Sequence, residues 1–246
     1  YKTVRDLASR PAVSVLSSAA FEWKYAQHVR KAPFPSPAVL PPIGMLAASE
    51  DAPPDPVPPS VDKRVTYFVL PKVNEARMDL AEALAARGVA VWTPGVWPSR
   101  MQGWGGPRAV SAFRAAIHIP YAPVTFALYE HAVTARLLTF VPSAALLLKL
   151  HAKRGLFFQS TRTDFVTTGH GTGDLTLAML RSTEWYAPAN APCFVYFDSL
   201  EDLIQKLEST DYASRRAELA EWAERHTNST LRRWQMIDTF LVKGGE

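Results

Sequence analysis

Ten of the chain's 20 prolines fall between Pro33 and Pro59, among them Pro41-Pro42, Pro53-Pro54 and Pro58-Pro59. Proline has no amide hydrogen and a fixed φ, so neither a helix nor a central strand can run through so dense a set. The stretch reads as an extended linker or an ordered strap. It divides the 246 residues into a short piece at 1–32, the strap at 33–60 and a body at 61–246. The first piece has a strand-like run, Ala12 to Leu16, and a helix-like run, Ala19 to Arg30. That is too little to fold alone, so it reads as the tail of a larger lobe. With Tyr rather than Met at position 1, the chain reads as a fragment whose start says nothing about targeting.

After Val61 the pattern becomes regular. Strand-length apolar runs at Val65–Leu70, Val89–Trp92, Ala116–Ile119, Leu137–Val141 and Phe194–Phe197 alternate with helical stretches. The helices are expected over Asn74–Arg87, Arg108–Ala115, Val124–Ala135, Ser143–Lys153 and Leu200–Leu207, with Gly88 closing the first and Ser143 capping the fourth. From Asp211 onward one or two amphipathic helices carry Trp222 and Trp234, and Ser160–Pro192 reads as an irregular insertion. Alternation of this kind specifies βαβ units, and strands apolar throughout are those covered on both faces. The expected fold is α/β: a Rossmann-like parallel sheet flanked by helices, followed by C-terminal helices.

Composition narrows the function. Apolar residues make up 48% and charged ones 20%, enough for a core and too apolar for a disordered tail. No apolar run approaches the roughly 20 residues that span a bilayer, so no transmembrane segment is expected. One cysteine, Cys193, excludes an internal disulfide framework, and the six histidines never stand at metal-ligand spacing, so no metal is expected. Between Ser99 and Arg162 stand Arg100, Arg108, Arg114, Arg136, Lys149, Lys153, Arg154 and Arg162, with Glu130 as the single acid. Such a window suggests a surface for anions. No run of four or more adjacent Lys/Arg occurs, which argues against a basic nucleic-acid arm.

In a parallel sheet, ligands bind beyond the carboxyl ends of the strands. Three places qualify. At His118-Ile119-Pro120-Tyr121 a strand stops, and a helix begins near Thr125 with Glu130 little more than a turn further on. The helix start and the Thr125 hydroxyl suit a diphosphate, and Glu130 suits the two hydroxyls of a ribose. His118 is either a base at the strand end or a core imidazole. At Leu70-Pro71-Lys72-Val73-Asn74-Glu75, Lys72 can reach a phosphate and Asn74 can cap the helix. The loop Trp92–Gly106, with Trp92, Trp97 and Trp104, offers aromatic rings that stack on a base or sugar, pack in the core, or belong to a flexible lid. Gly169-His170-Gly171-Thr172-Gly173 follows no strand and is set aside as a dinucleotide fingerprint, and no Walker-type loop or GxSxG elbow occurs.

The runs Phe113 to Tyr121, Leu128-Tyr129-Glu130-His131-Ala132 and Phe140-Val141-Pro142-Ser143 resemble the donor-binding half of GT-B glycosyltransferases, exostosin-like members included. The resemblance covers about residues 61–245, and extends through Val13 to Tyr25 and Leu40-Pro41-Pro42-Ile43-Gly44 to the end of an acceptor lobe and its connector. It implies transfer of a sugar from a nucleotide-sugar donor to a glycan, protein or lipid acceptor, without a metal or other cofactor. It implies that Glu130 holds the ribose, Thr125 and the following amides the diphosphate, and Lys72 a phosphate oxygen. His118, Pro120 and Tyr121 would line the base or sugar pocket. The sequence departs from the family where Ala122 replaces the earlier of two glutamates eight apart, and where Thr134 and Ala135 replace a common glycine. Two other classes fit the same residues: a non-catalytic nucleotide or sugar-phosphate binding module, and an α/β scaffold for an acidic partner.

Overall fold

The computed structural model describes residues 16–17, 38–42, 60–94, 106–123, 125–156, 158 and 175–243. Leu16–Ser17 (β1) and Ala38–Val39 (β2) pair in parallel. The rest of the 1–32 piece, with its expected helix, lies outside the described residues.

The body is a five-stranded sheet of Tyr67–Val69 (β3), Val91–Trp92 (β4), Ala115–Ile117 (β5), Thr139–Pro142 (β6) and Phe194–Phe197 (β7). Every neighbouring pair is parallel, in the order β4-β3-β5-β6-β7. This is the Rossmann-like α/β arrangement, and alternation of buried side chains along each strand builds it. Tyr67, Val69, Ala115, Ile117 and Phe140 enter one core with Leu80, Leu84, Leu147, Leu203 and Leu207. Phe68, Leu70 and Ala116 enter the core on the other face with Val110, Phe113 and Leu137. Both faces are dry, which is why the strands read as unbroken apolar runs.

The first helical stretch is not one helix. Val73–Arg77 (α1) and Leu80–Ala85 (α2) are separated at Asp79, whose φ of 48° is left-handed. Neither Gly nor Pro marks that break. Gly106–Val110 (α3) is shorter than expected, because Ala115 enters the sheet. Phe126–Tyr129 (α4) continues into a π-helical turn, Glu130–Thr134, closed by Ala135 N–H donating to Glu130 O at 2.9 Å. The left-handed residue that ends this turn is Arg136, φ 52°. Its guanidinium donates to Ala220 O at 3.0 Å, holding a conformation for which glycine is the usual choice.

Ala144–Arg154 (α5) has Ser143 as its cap, accepting from Leu146 N–H at 3.2 Å. It ends at Gly155, φ 57°, with Gly155 N–H donating to His151 O at 3.0 Å. A Cβ there meets nothing within 4 Å, so Gly155→Ala is expected to cost about 1 kcal/mol through the backbone alone. An unchanged urea midpoint would show that this helix ends differently. Leu177–Arg181 (α6) and two 3₁₀ turns, Glu184–Tyr186 and Pro188–Cys193, lead into β7. They give regular structure to part of the expected insertion; the Gly169–Gly173 motif lies outside the described residues.

Leu200–Ser209 (α7) follows, and one continuous helix, Tyr212–Lys243 (α8), closes the chain. Its first turns pack through Leu219, Trp222 and Ala223 against the π turn and the 3₁₀ segment. Among the described residues, no helix is long and apolar enough to cross a membrane.

Candidate functional site

The chain leaves β3 for β4 on one side, then returns across β3 to β5 on the other. The connections after β3 and β5 therefore part at their carboxyl ends, the switch point where doubly wound sheets form their ligand crevice. Two of the three sequence-expected places, Leu70–Glu75 and His118–Tyr121, are the two lips of this crevice.

On the first lip Lys72, half-buried, is the residue before α1. Its Nζ lies 5.8 Å from the centre of the Tyr121 ring on the opposite lip, a cation–π contact. Asn74 does not cap the helix: the cap position belongs to Lys72, with no side-chain cap bond. Asn74 is instead fully buried one residue into α1, and its amide donates to Pro120 O at 3.0 Å. Pro120 is buried as well. These two residues tie the lips together from beneath; neither presents a surface to a ligand.

Below them lies a pair that spacing did not reveal. Glu75 and His118 have side chains 3% and 1% exposed, with His118 Nδ1 2.5 Å from Glu75 Oε1. The same oxygen accepts from Ile119 N–H at 2.7 Å. Trp185 packs against the imidazole, ring centres 4.9 Å apart, and donates its indole N–H to Ala122 O at 2.8 Å. Tyr121 meets the imidazole edge-on at 5.8 Å. Among the described residues, Glu75 Oε2 and His118 Nε2 are buried without a hydrogen-bond partner. His118 is thus both a core imidazole and a strand-end residue, and it is enclosed.

Thr125 is the cap of α4, its hydroxyl accepting from Leu128 N–H at 3.4 Å and keeping its own proton to donate. Glu130 N–H bonds back to Phe126 and Ala127 carbonyls at the end of that short helix. The Glu130 carboxyl is half-buried, and its pKa is raised by burial against the opposing pull of the Lys72 ammonium. Lys72 also lowers the pKa of His131, after the larger effect of burial and that of His118. Lys72 thus touches Tyr121 and acts electrostatically on Glu130, five residues after Thr125. A π turn widens the helix at this point, a feature frequent at functional sites.

Of the window's eight cations, Arg100 and Arg162 lie outside the described residues, and Arg114, Arg136 and the three on α5 do not share one surface. Arg114 lies over Tyr212 at 4.5 Å and Tyr67 at 5.9 Å, at the amino edge of β5. Arg136 is engaged by α8, and Lys149, Lys153 and Arg154 are exposed on α5. The cation facing Glu130 is Lys72, from outside the window. Trp92 is half-buried, stacked on Phe68 at 5.8 Å and Phe113 at 5.6 Å. Of the options for its loop, Trp92 takes the core; Trp97 and Trp104 lie outside the described residues.

The arrangement offers an ammonium for a phosphate, a phenol ring in contact with that ammonium, and a carboxyl near enough to feel its charge. Among the described residues no group of three or more His, Cys, Asp or Glu side chains stands close enough to hold a metal ion. Comparison with protein-family models, curated proteins and solved structures found no match.

Proposed function

We propose that this chain binds the nucleotide-sugar donor of a GT-B-type glycosyltransferase, which passes the sugar to a glycan, protein or lipid acceptor. The observation that carries the reading is the contact of Lys72 with Tyr121 across the point where the sheet reverses its strand order, with Glu130 near enough for the Lys72 charge to oppose the effect of its burial. A nucleoside diphosphate needs a cation for its phosphates and an acceptor for its ribose diol, and this crevice holds one of each. In transfer, the bond from the anomeric carbon to the phosphate oxygen breaks and the diphosphate leaves with the electron pair. Lys72 and the first amides of α4, after Thr125, neutralise that growing charge. Asn74 and Pro120 hold the two lips at fixed separation, and the Glu75–His118 pair supports them from below.

Binding without transfer has one observation in its favour. His118 and His131, the two described imidazoles at this edge, are 1% and 3% exposed, so neither presents an open base to an acceptor hydroxyl. Titration with UDP, GDP, ADP and CMP, read as a rise in melting temperature and by calorimetry, tests the shared core of both readings. One of the four is expected to bind. Glu130→Ala is expected to weaken it by about 1–3 kcal/mol, the cost of losing hydrogen bonds to a charged group. No binding by any of the four, or an affinity indifferent to Glu130, overturns the assignment. Release of free sugar from the matching donor would then separate an enzyme from a binding module.

A further inference from the structure

Leu40, Pro41 and Pro42 follow β2 directly, inside the proline-rich stretch. The two prolines have no amide hydrogen, so they cannot donate to a continued ladder. Their carbonyls can still accept, provided that a donor comes from elsewhere in the chain. α8 brings one. Among the described residues, a single hydrogen bond joins residues 38–42 to the body, between His226 Nε2 and Pro42 O at 2.9 Å. Leu40, two residues before Pro42, is buried.

The imidazole is held in place for this bond. Trp222, one turn earlier on α8, stacks on it with ring centres 4.7 Å apart and planes inclined by 17°. Tyr129, the last residue of α4, stacks on it at 5.2 Å and 24°. Both rings are themselves anchored. The Trp222 indole N–H donates to Ala189 O at 2.7 Å, and the Tyr129 hydroxyl donates to Glu184 Oε2 at 3.4 Å. A carbonyl oxygen only accepts, so Nε2 carries the proton. Burial lowers the His226 pKa, the Pro42 bond opposes this, and the charge of Arg233 adds to the lowering. At neutral pH the ring is therefore uncharged, and Nε2–H is its one donor. The donor side of the contact is preset by α8 and α4, whereas the connector side is a bare backbone carbonyl. That asymmetry is the design of a socket and a strap.

We propose that His226 is a latch for the proline-rich connector: its Nε2–H, bonded to Pro42 O, fastens β2 to the body beside α4. β1, paired with β2, is fastened with it. Opening this one bond releases the strap while the sheet stays folded. The latch goes beyond the nucleotide-sugar reading and uses none of Lys72, Tyr121 or Glu130.

The test is NMR of the full chain labelled with ¹⁵N. A long-range ¹H–¹⁵N spectrum of the wild-type protein at neutral pH is expected to show His226 protonated on Nε2 and bare on Nδ1. Native-state hydrogen exchange in low urea is expected to show the amides of Val39 and Leu40 opening locally, with little dependence on urea. Those of Ile117 and Phe140, in the sheet, are expected to follow global unfolding. His226→Phe keeps a ring for Trp222 and Tyr129 to stack on and removes the donor. It is expected to speed exchange at Val39 and Leu40 by about two- to tenfold, the loss of one neutral hydrogen bond, and to leave Ile117 and Phe140 as they were. His226→Gln, whose amide donates at similar reach, is expected to recover part of the protection.

A proton on Nδ1 in place of Nε2 overturns the latch. So does exchange at Val39 and Leu40 that is unchanged in His226→Phe, or that in the wild type occurs only with global unfolding. The two wild-type measurements decide the matter even where a variant fails to fold, and no readout depends on a nucleotide.

Discussion

Replacing His118 by leucine is expected to cost the fold about 3–5 kcal/mol, the scale for breaking a buried pair of ionisable groups by removing one partner. Leucine fills much of the imidazole's space, so the loss does not come from an empty volume. It comes from Glu75, which would keep Ile119 N–H as its one donor in a site where its side chain is 3% exposed. Burying a carboxylate with so little compensation is expensive. Removing both polar groups together, in Glu75→Leu/His118→Leu, leaves only the Ile119 amide without an acceptor. The double variant is therefore expected to be more stable than the sum of the single losses implies, with a coupling of about 1.5 kcal/mol or more. Urea unfolding of the four proteins reads this directly. A loss below about 1 kcal/mol for His118→Leu would mean that Glu75 does not depend on the imidazole, and that the two lips of the crevice are braced by Asn74 and Pro120 alone.

This pair also shows where sequence reading reaches its limit. Local signals were legible because local physics makes them. Phe194–Phe197 is a strand to the residue, Ser143 caps α5, and Gly88 stands at a φ of 80° behind α2. The parallel sheet followed from apolar runs alternating with helical stretches. Three features were illegible for stated reasons. Asp79 breaks a helix without Gly or Pro, so nothing in its residue type announces the turn. The π turn at Glu130–Thr134 has one more residue per closure than an α turn, and apolar spacing over a dozen residues does not separate the two. Ala115 favours helices in isolation but is fully buried in β5, where a small side chain fits a sheet covered on both faces.

The site was half legible for the same reason. Lys72, Tyr121, Thr125 and Glu130 each follow a strand end or begin a helix, positions a pattern can mark. Glu75 stands in the first turn of α1, directly after a strand, and that was the available signal; its partner lies 43 residues away. Only the strand order β3-β5 brings the two together.

Acidification is expected to remove about 2–3 kcal/mol of stability between pH 7 and pH 4.5 through His131 alone. Burial, then the neighbouring His118 and Lys72, pulls its pKa from the ordinary 6.5 down to about 3. The native protein thus binds fewer protons at this site than the unfolded chain. The stability due to the neutral imidazole is whole above pH 6.5 and drains as pH falls toward 3, at about 1.4 kcal/mol per unit. His226, lowered chiefly by burial, adds in the same direction. Glu130, raised by burial, acts oppositely but is half-exposed and contributes less. His131→Phe keeps an aromatic ring edge-on to Phe68, 6.0 Å away in the native protein, and is expected to flatten the slope between pH 7 and 4.5. An unchanged slope would assign the acid sensitivity elsewhere. The same measurement bears on the crevice. An anion held by Lys72 supplies negative charge near His131, favours its protonated form and raises its pKa. A nucleoside diphosphate bound there is therefore expected to move the acid midpoint of the wild-type protein to lower pH by more than mass action gives for His131→Phe.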